Sequence, residues 1–203
     1  MKHFVIALAI GGALAGQPAG AQVPLRYDLG AGIGFPSSPG IANQYWGAGY
    51  TLSAGVRWRL NSRWSIGTDL GFARFDWQEP DGPQPTVPPA PGGAPPAGGA
   101  LHVIPILMAG EFALSEWSNT RPFVSAHLGY VRVRTGDVES FSTVAPATLP
   151  PHPESDAVGI GFGLGVRTLL TSTADLVVDV GWRMAFAKPD RIAWVPARIA
   201  VRF

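Results

Sequence analysis

The sequence predicts an all-β fold, an eight-stranded antiparallel up-and-down β-barrel that crosses a membrane. Three observations lead there. Large apolar residues alternate with small or polar ones at period 2 over eight separate stretches. Each stretch is about ten residues or longer, enough for a tilted strand to cross a hydrocarbon layer. Short polar connections also alternate with longer ones, the pattern of a barrel with tight turns on one rim and long loops on the other.

The first stretch sets Tyr27, Leu29, Ala31, Ile33 and Phe35 against Asp28, Gly30, Gly32 and Gly34. In Tyr45 to Leu60 the even positions, Trp46 through Trp58 and Leu60, form the greasy face, with Gly, Thr, Ser, Arg57 and Arg59 opposite. Trp64, Ile66, Thr68, Leu70 and Phe72 face away from Ser65, Gly67, Asp69 and Gly71. Leu101 to Leu114 is apolar on both faces and contains Pro105 and Glu111, so alternation fixes its parity least. Phe123 to Arg134 sets Val124, Ala126, Leu128 and Tyr130 against Ser125, His127 and Gly129. Val158 to Val166 places a large residue between glycines at 159, 161, 163 and 165. Leu176 to Phe186 turns Asp179, Gly181 and Arg183 away from Val178, Val180, Trp182 and Met184. The last stretch puts Val195, Ala197, Ile199, Val201 and Phe203 on one face and Arg198, Ala200 and Arg202 on the other.

The connections Asn61 to Arg63, Ser115 to Arg121 and Thr171 to Ala174 read as periplasmic turns. Pro36 to Gln44, Gln78 to Ala100, Gly136 to Asp156 and Lys188 to Ile192 read as extracellular loops. Gln78 to Ala100 holds eight prolines and five glycines and is expected to carry no regular structure. Treating it as an interdomain linker would leave four strands on either side with open sheet edges, which rejects that division.

Lys2, the 13-residue apolar run Phe4 to Gly16 and the Ala19-Gly20-Ala21 tripeptide have the layout of a cleavable secretory signal peptide over residues 1–21. Residues 22–203 then form one exported domain carrying equal numbers of positive and negative groups. Charged residues make up 14% of the chain, well below the roughly 25% of soluble domains. The formal charge of +1 offers no basic surface for nucleic acid. With no cysteine there is neither a disulfide framework nor a thiolate nucleophile.

Alternation alone would also suit a soluble barrel with its apolar face inward around a ligand. The companion face argues against that, being built from Gly, Ala, Ser and Thr with a few charges. A water-exposed face carries far more Lys and Glu, and residues 22–203 contain one lysine, Lys188. Trp46, Trp58, Trp64 and Phe186 lie near strand ends, as aromatic girdles at a membrane interface require. The inward ionic set is then Arg57, Arg59, Asp69, Glu111, Arg167, Asp179, Arg183 and Arg198. In a narrow lumen these charges must pair, because an unpaired buried charge is costly. The expectation is a salt-bridge network that plugs the barrel.

The signal peptide, the eight alternating strands and the terminal Phe203 resemble the small eight-stranded outer-membrane barrels of the OmpA transmembrane-domain and OmpX type. Ile104-Pro105-Ile106, Arg121 to Val124 and Gly159 to Val166 are similar to strand segments of that superfamily. The resemblance implies residence in the bacterial outer membrane among lipopolysaccharide, as a monomer. It also implies that Val195, Ala197, Ile199, Val201 and Phe203 are read by the barrel-assembly machinery. These motifs belong to the architecture and name no activity.

No residue pattern demands catalysis, a cofactor or a metal. His102, His127 and His152 form no H-x-x-x-H pair and no zinc motif. The glycines at 159 to 165 keep strict period 2 with no helix following, which defeats a nucleotide-loop reading. They instead relieve crowding in the lumen. Asp76, Glu79 and Asp81, with Asp137 and Glu139, read as solvated loop faces before they read as cation sites bridging lipopolysaccharide. Some outer-membrane barrels are lipid A deacylases or acyltransferases. Ser125 and His127 share a face, and Ser140 or Ser142 could approach from the loop. The chain lacks the His-x-Ser-Asn-type segment such deacylases show late in their sequences. The expected role is therefore a structural or surface-interacting barrel, with a rim-site lipid A-modifying enzyme or a narrow small-solute channel as alternatives.

Overall fold

Alternating side chains make each stretch two-faced, and two-faced strands can bury one face all round only by closing on themselves. The computed structural model, which describes residues 25–37, 46–78, 99–115, 119–136, 154–187 and 191–203, shows that closure. Its strands are β1 (Leu25–Ser37), β2 (Trp46–Arg59), β3 (Trp64–Trp77), β4 (Leu101–Ala113), β5 (Thr120–Thr135), β6 (Glu154–Leu169), β7 (Asp175–Ala185) and β8 (Ile192–Arg202). Each pairs antiparallel with its sequence neighbours, and β1 pairs with β8 from Asp28↔Arg202 to Ser37↔Ala193. The expected eight-stranded up-and-down barrel is present. The strands run past the expected limits in places, so that Glu154 to Asp156 belong to β6 rather than to a loop.

The tight turns are built by their own polar side chains. Asn61 Oδ1 accepts the backbone N–H groups of Arg63 and Trp64. Thr171 Oγ1 does the same for Thr173 and Ala174. At the seam the Tyr27 and Phe203 backbones exchange both hydrogen bonds, and their rings lie 6.2 Å apart.

The outer wall is the greasy face throughout. Leu29, Leu52, Leu70, Met108, Leu128, Phe162, Val180 and Ile199, one from each strand in turn, are all exposed. A continuous exposed belt of this kind is not tolerated by water and fits a hydrocarbon surround. Val195, Ala197, Ile199, Val201 and Phe203 lie on this wall by the parity of β8.

Inside, the lumen has two storeys. Toward the long-loop rim, Phe75, Leu101, Val103, Val131, Val133 and Trp194 pack into an apolar cluster with almost no exposure. Toward the short-turn rim the interior is ionic. Glycines make room for both. A Cβ at Gly159 would collide with Val131 and one at Gly165 with the Phe123 ring, so large lumen side chains on β5 require their absence on β6.

One expectation about the outer wall needs correction. Trp46 is buried within the apolar cluster at 3% exposure, not displayed in an outer girdle. A register shift between Trp46 and Gly49 is the reason, since an extra residue reverses which side of the strand follows. Trp64 and Phe186 are exposed, as a girdle requires. Residues 1–21, Glu79, Asp81, Asp137, Glu139, Ser140, Ser142 and His152 lie outside the described residues.

Candidate functional site

The lower storey is a column of paired charges, placed there by strand parity and tied across strands far apart in sequence. Arg202 is its centre. On one side its guanidinium donates to Asp28 through Nε and Nη2, at 2.6 and 3.1 Å. On the other it donates to Glu111 through Nη1 and Nη2, at 3.0 and 2.8 Å. Two fork-like contacts on a side chain 1% exposed are the strongest arrangement a guanidinium can offer.

Glu111 also accepts from Arg167 Nη1 at 3.1 Å. Arg57 donates to Asp69 Oδ1 at 2.7 Å, with its Nε 3.6 Å from Asp28. Higher up, Arg198 grips Asp179 Oδ2 through Nε and Nη2, at 2.9 and 2.6 Å, and reaches Ser53 Oγ at 3.2 Å. Near the rim Arg26 donates to Asp175 at 2.7 Å, with Arg167 3.8 Å from the same oxygen.

Of the eight ionic residues expected in the lumen, Arg57, Asp69, Glu111, Arg167, Asp179 and Arg198 join these pairs. Arg183 is buried among them, with no carboxylate within 4.0 Å among the described residues. Arg59 does not join. It is exposed at the short-turn rim and its Nε donates to the Asn61 carbonyl at 3.0 Å. A residue one strand-end from its turn lies above the packed interior, so parity alone could not bury it. Asp28, Arg202, Arg26 and Asp175 were missed, although their parity on β1, β7 and β8 carried the signal.

Ser125 and His127 meet. His127 Nε2 lies 3.1 Å from Ser125 Oγ, and His127 Nδ1 lies 3.4 Å from Asp69 Oδ2. The three residue types are those of a hydrolytic triad, whose geometry asks for tight contacts from serine to histidine to acid. Here the acid's nearer bond goes to Arg57, and His127 Nδ1 and Asp69 Oδ2 have no hydrogen-bond partner. Both strand residues face the lumen, with the sheet between them and the outer wall. A Cβ at Gly163 would lie 2.8 Å from Ser125 Oγ, so the glycine on β6 leaves the room the hydroxyl needs. Among the described residues no group of three His, Cys, Asp or Glu side chains is placed to hold a metal ion.

Two further features complete the geometry. A cavity of about 140 Å³ opens at the short-turn mouth, lined by arginines, asparagines and serines. On the outer wall near the opposite rim, Arg74, His102 and Arg134 lie side by side in register across β3, β4 and β5. Their neighbours are acidic: Arg74 pairs with Asp76 at 3.1 Å, and Arg132 and Arg134 both pair with Glu154.

No protein-family model matches the chain, and no curated protein matches it by sequence. Solved structures do match. Neisserial surface protein A is similar over 88% of this chain and 95% of its own, at 15% identity and a TM-score of 0.57. Ail, the attachment invasion locus protein of Yersinia pestis, aligns at 12% identity and a TM-score of 0.44, over 88% of this chain and 97% of its own. The outer membrane enzyme PagL aligns at 12% identity and a TM-score of 0.46, over 86% and 97%. At such identities the likeness is one of backbone. This chain has the fold of the small eight-stranded outer-membrane β-barrels.

Proposed function

We propose that this chain is an integral outer-membrane barrel whose role is structural and surface-interactive, a rigid anchor that carries long loops to the cell exterior. In this reading the short-turn rim is periplasmic and the long-loop rim extracellular. Lipopolysaccharide surrounds the outer half of the wall, where Arg74, Arg132 and Arg134 and their acidic neighbours meet its headgroups. The outer face of β8, ending in Phe203, is the strand offered to the assembly machinery.

One observation carries the reading: the lumen is occupied on both storeys. An apolar cluster at 0–8% exposure lies over a column of paired charges. A solute would have to displace Trp194 and Phe75 and then part Arg198 from Asp179, breaking a buried ion pair on the way. Eight strands leave room for side chains and little else.

The enzyme reading draws on the Ser125–His127 contact. That pair faces a packed interior, whereas an acyl chain in the membrane would arrive at the outer wall. Two measurements test the proposal. Purified protein in planar bilayers is expected to give no discrete conductance steps, and lipid A from membranes with and without it is expected to have identical masses. A regular conductance would establish the channel instead. A gained or lost acyl chain that vanishes in Ser125→Ala would establish the enzyme.

A further inference from the structure

The mouth of the short-turn rim is chemically unlike the rest of the barrel. Its cavity of about 140 Å³ is lined by seven arginines and, among the described residues, by two carboxylates, Glu111 and Asp175. Both acids already accept from the column, Glu111 from Arg167 and Arg202 and Asp175 from Arg26. Arg57 and Arg202 form the floor. Arg26, Arg59, Arg121 and Arg167 stand around the walls on β1, β2, β5 and β6.

Register sharpens the imbalance. Arg121 lies directly across from Arg167 on β5 and β6, and Arg26 directly across from Arg57 on β1 and β2. Like charges opposite one another destabilise a sheet, and here two such pairs open into the same small space. The column's carboxylates offset part of both repulsions, since Arg26 meets Asp175, Arg57 meets Asp69 and Arg167 meets Glu111, and an anion in the mouth adds to that offset.

We propose that this mouth is a binding site for a phosphate-class oxyanion. Guanidinium groups arriving from four strands around a ring suit a tetrahedral ion, which presents oxygens in all directions. A carboxylate offers only two oxygens, in one plane, and matches such a ring less well. Asn61, Asn119, Ser62 and Ser65 supply neutral hydrogen-bonding groups along the same lining. Charge-assisted Arg–phosphate contacts are the strong ones, and several of them in a partly enclosed site hold a small ion selectively. The phosphate is either a free ion or phosphate ester, or the headgroup of a phospholipid at the periplasmic surface.

The test uses the full-length chain refolded in a maltoside detergent, which itself carries no phosphate. Inorganic phosphate is titrated by calorimetry at fixed ionic strength, with chloride and sulfate as comparators. Saturable binding of phosphate is expected, weakened about tenfold by Arg59→Gln and again by Arg121→Gln, and unchanged by Arg74→Gln at the far rim. Nanodiscs separate the sources. If the headgroup is the ligand, inorganic phosphate binds less well in phosphatidylglycerol discs than in the phosphate-free maltoside micelles. Equal affinity in both identifies the free ion or ester. Phosphate binding no tighter than chloride, or rim variants indistinguishable from the parent, would overturn the proposal.

Discussion

The Asp179–Arg198 pair is the simplest place to measure what the ionic column contributes. Asp179 Oδ2 takes two charge-assisted hydrogen bonds from Arg198, at 2.9 and 2.6 Å, and both side chains are about nine-tenths buried. In Asp179→Leu the Arg198 guanidinium keeps one neutral partner, Ser53 Oγ at 3.2 Å. Arg183 loses the nearby carboxylate on its own strand as well. Removing one partner of a buried pair costs about 3–5 kcal/mol, most of it the burden of the charge left behind. With a urea dependence of about 1–3 kcal/mol per M, the unfolding midpoint is expected to fall by roughly 2 M. Asp179→Leu combined with Arg198→Leu removes both charges and should recover much of the loss, because a matched apolar pair is often neutral. Urea unfolding in detergent micelles, followed by tryptophan fluorescence, reads both midpoints. A single variant as stable as the parent, or a double variant less stable than the single by the full Arg198→Leu effect, would refute the buried-pair argument.

Other consequences of the geometry are as direct. Gly165→Val pushes a side chain into the Phe123 ring and is expected to cost about 1–3 kcal/mol, with partial recovery when combined with Phe123→Ala; unfolding midpoints of the three variants check it. Leu164→Arg, on the outer wall, should cost about 2–4 kcal/mol in lipid vesicles, and equal stability there would contradict the membrane-facing assignment. In single-tryptophan variants, spin-labelled lipid is expected to quench Trp64 strongly and Trp46 and Trp194 weakly. Strong quenching of Trp46 would return it to the outer girdle and remove the bulge.

Period-2 alternation made most of this architecture legible, because in a closed barrel parity decides everything about a residue's surroundings. It placed Asp69, Asp179 and Arg198 inside without any knowledge of their partners. It was weakest in Leu101 to Leu114, where it left the parity open: Glu111 is expected inward, while the inward Leu101, Val103 and Leu107 look like wall residues. The apolar upper storey was therefore invisible: nothing in a leucine tells whether it meets lipid or a tryptophan from across the lumen. Trp46 misled because a bulge breaks the count by one. The pairing of Arg202 with Asp28 and Glu111 was equally hidden, since its partners stand 174 and 91 residues away along the chain. Tertiary closure, not local pattern, brought them together.

The seam between β1 and β8 shows why so narrow a barrel keeps charges at all. Grease cannot tell one even-numbered alignment from the next. If β8 slid along β1 by two residues, every apolar side chain would still face outward and the wall would look the same. The slide would nonetheless carry Arg202 roughly 7 Å from its acids, leaving Asp28 only Arg57 at 3.6 Å and Glu111 only Arg167 at 3.1 Å as close partners in a dry interior. The column thus works like the wards of a lock, admitting one alignment among several that oil and water would rate as equals.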